Sequence, residues 1–305
     1  MTDLAIFYEH PSWFVPLFAA LDRAGVAYSA TPIGDHVFDP AATGVPAHVV
    51  FNRVAMSSFL RETEHPIFYA QALFGQFEGL GARVVNGTRA LAIDASKARQ
   101  LSLIAALGLQ APATRVVHRA ADLVGAAADL RFPVVVKADI GGAGAGIVKY
   151  DAPAELAAAV ADRSTPAGIN GVTLVQEYSP RRGGKITRVE TLAGKFLYAI
   201  DIESSGDTFD LCPADACAVG RPAISMTRVE PPPEMIAAAE RIAQAAHLDV
   251  GGMEYLIDDR DGTARFFDIN ALSNFVADPV NVLGWDPHDD LVAYLQSVIA
   301  ETKAS

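Results

Sequence analysis

The chain has 305 residues, 51% of them hydrophobic and 20% charged. That is enough apolar material for two domains or one elaborated domain, and it excludes a disordered or collagen-like chain. The formal charge of −12 argues against a general nucleic-acid binder, which needs a basic surface to displace counterions. Two cysteines, Cys212 and Cys217, are too few for a disulfide framework or a zinc site of their own. They point to a reducing compartment, with a single bridge between them left open. The opening MTDLAIFYEHPSWF has no basic region and no long apolar core, and no run approaches the roughly 18 apolar residues of a membrane span. The expectation is a cytoplasmic protein with no membrane partner.

In chain order, the pattern begins with a strand over 4–8, a helix opened by Ser12 and running to about residue 24, and strands over 27–31 and 48–52. A helix over 66–79 and a strand over 83–86 complete an open α/β unit, residues 1–93. Asp94 is a plausible N-cap for the next helix, which carries Lys97, Leu101, Ile104 and Ala105 on one stripe and stops at Gly108. This is a connecting segment, 94–112. Strand, helix (120–130), strand (134–138), glycine loop, strand, helix (153–161) and strand (172–178) then form a small α+β unit, 113–178, expected to move as a lid. The remainder, 179–305, reads as an α+β domain with an antiparallel sheet. It has strands over 186–192 and 195–203, a poorly patterned stretch to Glu230, a helix after three prolines, two strands around Gly262 and a last helix after Asp286.

The densest chemical signal is Val134-Val-Val-Lys-Ala-Asp-Ile-Gly-Gly-Ala-Gly-Ala-Gly146. Strand alternation sends Lys137 away from the apolar layer of Val134 and Val136. Gly141, Gly142, Gly144 and Gly146 let backbone N–H groups wrap an oxyanion, with Lys137 as a point charge for the same phosphate. A flexible hairpin is the other reading. The spacing fits neither a dinucleotide fingerprint nor a Walker loop, because Ile147-Val-Lys-Tyr150 continues as a strand.

The second signal is the hairpin 251–270. A three-residue loop Arg260-Asp261-Gly262 pairs Asp259 with Thr263 and places Glu254 opposite Asp268. Glu254, Asp268 and Asn270 then project from one face as hard oxygen ligands. Like charges across a ladder repel, and a divalent cation, Mg²⁺ above all, would offset that repulsion. A solvated polar face is the alternative. Gln176-Glu177-Tyr178 ends an apolar strand and can address an adenine edge or ribose. Arg188 shares a face with Glu190, either as an ion pair or as a group that stabilises a transferring phosphoryl. Cys212 and Cys217 read as packed thiols rather than a metal or redox pair.

In order and spacing these elements resemble the ATP-grasp superfamily, and within it the RimK-type carboxylate–amine ligases, over about 51–274. Asn52-Arg53, Gln76-Phe-Glu-Gly-Leu-Gly81 and Val85-Asn86 resemble the end of the family's first domain. The resemblance implies that Lys97 and Lys137 are the two ATP lysines, Gly141 to Gly146 the phosphate loop, and Gln176, Glu177 and Tyr178 the adenine linker. It further implies Arg188 as the phosphoryl-site arginine and Glu254, Asp268 and Asn270 as magnesium ligands. Three departures fall near the acceptor side. Ile186-Thr-Arg188 lacks the family's aspartate, Phe209 to Cys217 replaces an Arg-x-Asn pair, and Asn270-Ala-Leu-Ser-Asn274 lacks Pro-Gly.

The implied activity is an ATP-dependent ligase with two Mg²⁺ ions, or Mn²⁺ in their place. A substrate carboxylate becomes an acylphosphate, and an amine displaces phosphate to form an amide or peptide bond. Arg53 and Asn274, with His10 or Asn52, would touch the small-molecule or peptide substrates. Cyclisation, transfer to a non-amine, a nucleotide-binding module without turnover, and homo-oligomerisation all stay open.

Overall fold

The computed structural model describes residues 2–10, 12–61, 64–142, 144–204 and 224–304. Cys212, Cys217 and the whole of 209–217 lie outside the described residues. Among those described, no helix is long and apolar enough to cross a membrane.

Leu4–Tyr8 (β1), Val15–Arg23 (α1), Tyr28–Pro32 (β2), Val49–Arg53 (β3), Ile67–Gly79 (α2) and Arg83–Val85 (β4) build a parallel sheet of order β2-β1-β3-β4. Successive side chains of β1 enter different cores. Leu4 and Ile6 pack with α1 and the carboxyl-terminal part of the chain, and Ala5 and Phe7 pack with α2. Burial on both faces explains why this strand reads as a continuous apolar run.

Thr88–Asp94 (α3) and Lys97–Ala106 (α4) lead to an antiparallel sheet of order β5-β8-β6-β7. Its elements are Thr114–Val117 (β5), Leu123–Ala126 (α5), Val134–Ala138 (β6), Ile147–Tyr150 (β7), Pro153–Ala161 (α6) and Thr173–Glu177 (β8). Leu123 and Leu156 join Val134, Val136 and Val175 in a small core of its own. The third sheet, also antiparallel, comprises Lys185–Leu192 (β9), Lys195–Ser204 (β10), Ile224–Val229 (β11), Val250–Ile257 (β12) and Ala264–Asn270 (β13) in the order β11-β10-β9-β12-β13. Pro233–Ala245 (α7), Pro279–Leu283 (α8) and Pro287–Ala304 (α9) complete the chain. Two polar joints fasten the first sheet to the third. The Asn86 amide donates to the Val250 carbonyl at 2.6 Å and accepts from Asp249 N–H at 2.8 Å. Asp249 in turn accepts from the Asn86 N–H, from Arg83 and from Tyr294.

Several boundaries differ from the sequence reading. Asp94 ends α3, and the cap of α4 is Ser96, whose hydroxyl accepts from Arg99 N–H at 3.2 Å. Asp94 instead accepts from Ala271 N–H at 3.0 Å, tying α3 to the end of β13. Ser12 donates no side-chain cap to α1, which starts at Val15. The helix expected over 120–130 shrinks to a 3₁₀ turn and the four residues of α5, around Gly125. β11 went unread because it is an edge strand with no strongly buried face to impose an alternation.

The β12–β13 hairpin reaches the expected Glu254–Asp268 pairing by another route. The turn is one residue longer than expected, with Asp258 N–H on the Thr263 carbonyl at 2.9 Å, so Ile257 pairs with Ala264. A bulge at Phe267 then takes up the extra residue and returns Glu254 to Asp268. Asp258, fully buried, pins this turn. Arg260 donates to it at 2.6 and 2.9 Å, Arg265 at 3.0 Å, and the Arg260 N–H at 3.0 Å. Burial alone would raise the Asp258 carboxyl, but these donors outweigh it and hold it well below its ordinary value.

A depressed carboxylate stabilises the fold above its unfolded pKa and loses that contribution as pH falls toward the folded one. Asp258→Asn should therefore cost about 3 kcal/mol by denaturant unfolding at neutral pH. The deficit relative to the parent should narrow once the pH drops below about 4.

Candidate functional site

A cavity of about 200 Å³ lies between the second and third sheets. Its floor is set by the register of β9, β12 and β13, which aligns side chains in rows. Ile186, Leu256 and Phe267 form an apolar row on the wall. The bulge is why Phe267 lies there and Phe266 does not: consecutive residues Phe267 and Asp268 both line the cavity, while Phe266 packs against Tyr255 on the far face. Next comes a charged row, Arg188 opposite Glu254 opposite Asp268. Beyond it lies Glu190 opposite Gly252 opposite Asn270.

The charged row is balanced by cations at both ends. Arg188 Nη1 donates to Glu254 at 3.0 Å and its Nε to Glu190 at 2.6 Å, while Lys97 Nζ sits 2.5 Å from Asp268. Repulsion between the two opposed carboxylates is thus met by protein cations in this structure. Burial opposes the charge on Arg188, yet the nearby Glu190 and Glu254 carboxylates raise its pKa. For Lys97 burial is likewise outweighed, here by Asp268. Lys137 has no such partner, so burial, reinforced by the Lys97 charge, pulls it down to about 7. Burial raises the Glu254 carboxyl despite Arg188.

Opposite the floor, Val135 and Lys137 of β6 face the cavity while Val134 and Val136 enter the small sheet's own core, as strand alternation requires. Gly141, Gly142 and Gly144 line the cavity, whereas Gly146, at φ +67, closes the loop outside the lining. At Gly142 a Cβ would fall 2.5 Å from that of Ser57, so the glycine lets the loop rest on the first unit. Gln176, Glu177 and Tyr178 also line the cavity, with the Gln176 amide donating to Thr114 Oγ1 at 2.7 Å.

Arg53 and Asn274 lie outside the cavity lining, behind its polar row. Arg53 donates to the Ser273 carbonyl and, at 3.3 Å, to Asn274 Oδ1, and the rings of Phe51 and Phe14 flank its guanidinium at 4.7 and 5.4 Å. Burial pulls the guanidinium down to about 9. His10 accepts from Ser12 and Trp13 N–H groups, and Asn52 accepts from Val54 N–H, so both shape local turns.

Sequence reasoning missed two positions. Asp139 anchors the small sheet to α4, accepting from Ala98 N–H at 2.8 Å and from Asn170 at 2.8 Å; its place two residues after Lys137 was the available signal. Gly252 makes room for the Arg188–Glu190 pair: a Cβ there would lie 2.6 Å from Arg188 Nη2 and 2.7 Å from Glu190 Oε1. Among the described residues no group of three or more His, Cys, Asp or Glu is arranged to hold a metal ion. What the charged end of the cavity offers is two carboxylates, Glu254 and Asp268, and the Asn270 amide, with Glu177 at the other end beside Gln176 and Tyr178.

This architecture is the ATP-grasp fold. The structure superposes on ATP-grasp ligase PsnB, in complex with a phosphomimetic variant of its minimal precursor, Mg and ADP, with a TM-score of 0.72 at 17% identity, covering 98% of this chain and 99% of that one. It superposes on the RimK domain protein ATP-grasp from Sphaerobacter thermophilus DSM 20745 with a TM-score of 0.70 at 15% identity, covering 96% and 99%. In sequence the chain is 30% identical over 201 residues to the ribosomal protein bS6–L-glutamate ligase of Shigella boydii serotype 4 (strain Sb227). That match takes in 63% of this chain and 61% of the relative's length. No protein-family profile matches the chain.

The packing at Gly252 is directly testable. Gly252→Ala should destabilise the protein by about 1–3 kcal/mol in chemical unfolding, because Arg188 and Glu190 must move to admit the methyl group. Gly44→Ala, which meets nothing within 4 Å, serves as the control and should change little.

Proposed function

We propose that the protein is an ATP-dependent carboxylate–amine ligase that works through an acylphosphate and releases ADP and phosphate. The observation that carries this reading is the charged row: two opposed carboxylates whose repulsion is relieved by Lys97 and Arg188, beside Lys137 and a glycine loop. Such a row can exchange partners. A polyphosphate gives the cations a stronger anion, and a divalent cation takes over the carboxylates.

The donor set fits Mg²⁺, since Glu254, Asp268 and the Asn270 amide oxygen are hard ligands that line the same cavity from neighbouring positions of β12 and β13. Bound there, Mg²⁺ would neutralise phosphate oxygens and align them for transfer. The protein's own groups do the rest. Val135, Ile147, Ile186 and Leu256 form an apolar slot for the adenine, with Gln176, Glu177 and Tyr178 at its edge. Lys97, Lys137 and the N–H groups of Gly141, Gly142 and Gly144 hold the phosphates. Arg188 holds the phosphoryl group as it passes to the substrate carboxylate. The unit 113–178 acts as the lid that excludes water from the reactive intermediate. Arg53 and Asn274 belong to the substrate side. Ligase names among the sequence relatives and the Mg and ADP bound to PsnB support this reading.

Purified protein with ATP, Mg²⁺, a carboxylate and an amine should release ADP and phosphate and yield a product whose mass is the sum of both substrates less water. Lys137→Met should lower turnover by about 10²–10³-fold, the cost of removing one charge-stabilising donor. Lys303→Ala, which removes only the surface pair with Asp3, should leave it unchanged. Undiminished turnover in Lys137→Met, or turnover independent of Mg²⁺, contradicts the assignment; loss of water from a single substrate points to cyclisation instead.

A further inference from the structure

Lys97 and Lys137 meet at one cavity from two different bodies. Lys137 belongs to β6 of the second sheet. Lys97 opens α4, which is fastened to the third sheet: the buried Gln100 amide donates to the Ile269 carbonyl at 2.8 Å and accepts from the Ile269 N–H at 3.0 Å. Neither element by itself sets the separation of the two ammonium groups. Asp139, two positions after Lys137 and 3% exposed, bridges the bodies where they meet.

Every polar atom of Asp139 is engaged in this joint. Its carbonyl accepts from Lys97 N–H at 3.1 Å, and its Oδ1 accepts from Ala98 N–H at 2.8 Å and from the Ser96 hydroxyl at 3.1 Å. A helix begins with N–H groups that have no partner inside it. In α4 the first two of these are met by Asp139 and the third by Ser96. On the other side, Asp139 N–H donates to the Val172 carbonyl at 3.1 Å, and its Oδ2 accepts from Asn170 Nδ2 at 2.8 Å. Asn170 is held from turning its amide round, because its Oδ1 accepts from Val172 N–H at 3.2 Å. The fixed amide therefore demands an acceptor at position 139.

The consequence is geometric. Asp139 follows Lys137 by one strand repeat, so tying Asp139 to the first turn of α4 sets Lys137 against Lys97. Groups that act together on one ligand need to be held within about 0.5 Å of their working positions. A carboxylate beside two phosphate-binding lysines would otherwise be a liability, since it repels the same ligand. Neither Asp139 nor Asn170 lines the cavity. We propose that Asp139 and Asn170 are a positioning pair that sets the separation of Lys97 and Lys137 for a polyphosphate. The identity of the ligand rests on the nucleotide reading of the cavity, whereas the joint stands on its own hydrogen bonds.

Calorimetric titration of the full chain with ADP and Mg²⁺, and separately with adenosine, tests the pair, because adenosine lacks the phosphates that the lysines hold. Asp139→Asn sets two amide donors against each other at Asn170 and should weaken ADP at least 10-fold while adenosine stays within twofold. Asn170→Ala keeps the Asp139 charge and should weaken ADP at least threefold. The exchanged pair, Asp139→Asn with Asn170→Asp, again points a donor at an acceptor and leaves an oxygen for Ala98 N–H and another for Val172 N–H. Its ADP affinity should return to within threefold of the parent. Unchanged ADP affinity in either single variant, an equal loss for adenosine, or an exchanged pair no better than Asp139→Asn overturns the proposal. If the exchanged pair fails to fold, Asn170→Ala decides. If the parent binds no ADP, the nucleotide reading falls, and amide hydrogen exchange decides the joint. The Ala98 amide, without a partner in an ordinary helix start, should then exchange at least 10-fold more slowly in the parent than in Asp139→Ala, and equal rates overturn the pair.

Discussion

Opposed carboxylates in the middle of a sheet are the constraint around which this molecule is arranged. Glu254 and Asp268 face each other across β12 and β13, a placement that costs stability unless cations attend it. Arg188 comes from the neighbouring strand and Lys97 from the first turn of α4. Holding Lys97 there requires α4 to be fixed at its start, which Ser96, Asp139 and the Asp94 bond to Ala271 accomplish. Holding Glu254 against Asp268 requires the long turn pinned by Asp258 and the bulge at Phe267. One electrostatic requirement therefore reaches from the third sheet through α3 and α4 to the end of β6.

The same strands act as a ruler. Every second residue of β9 and β12 moves along the floor from apolar (Ile186, Leu256) to charged (Arg188, Glu254) to polar with a glycine gap (Glu190, Gly252). On the function proposed above, an aromatic base and a polyphosphate would lie along that axis. A net charge of −12 is no obstacle to binding such an anion, because the local field in the cavity is set by Lys97, Lys137, Arg188 and the glycine-loop amides.

Much of this was legible in the sequence where period and chemistry agree. Alternation in β6 sent Lys137 to the cavity and Val134 and Val136 to the core, and hairpin arithmetic brought Glu254 opposite Asp268. That arithmetic reached the pairing only because a longer turn and a bulge cancel, and neither has a local sequence signature that counting can detect. Ser96 against Asp94 as the cap of α4 was decided by tertiary bonds, since both residue types cap equally well. The first sheet's joints, Asn86 and Asp249, and the bonds of Arg53 to Ser273 and Asn274 depend on residues more than a hundred positions apart. Such contacts come from the packing of whole sheets, and no window along the chain contains them.

A crystal structure of the protein with ADP and Mn²⁺, read by manganese anomalous scattering, tests the central idea of partner exchange most directly. The expected result is a manganese peak ligated by Glu254 and Asp268, with Lys97 moved from Asp268 onto phosphate and the adenine between Val135 and Leu256. A structure in which the metal binds elsewhere while Lys97 stays on Asp268 would contradict the account.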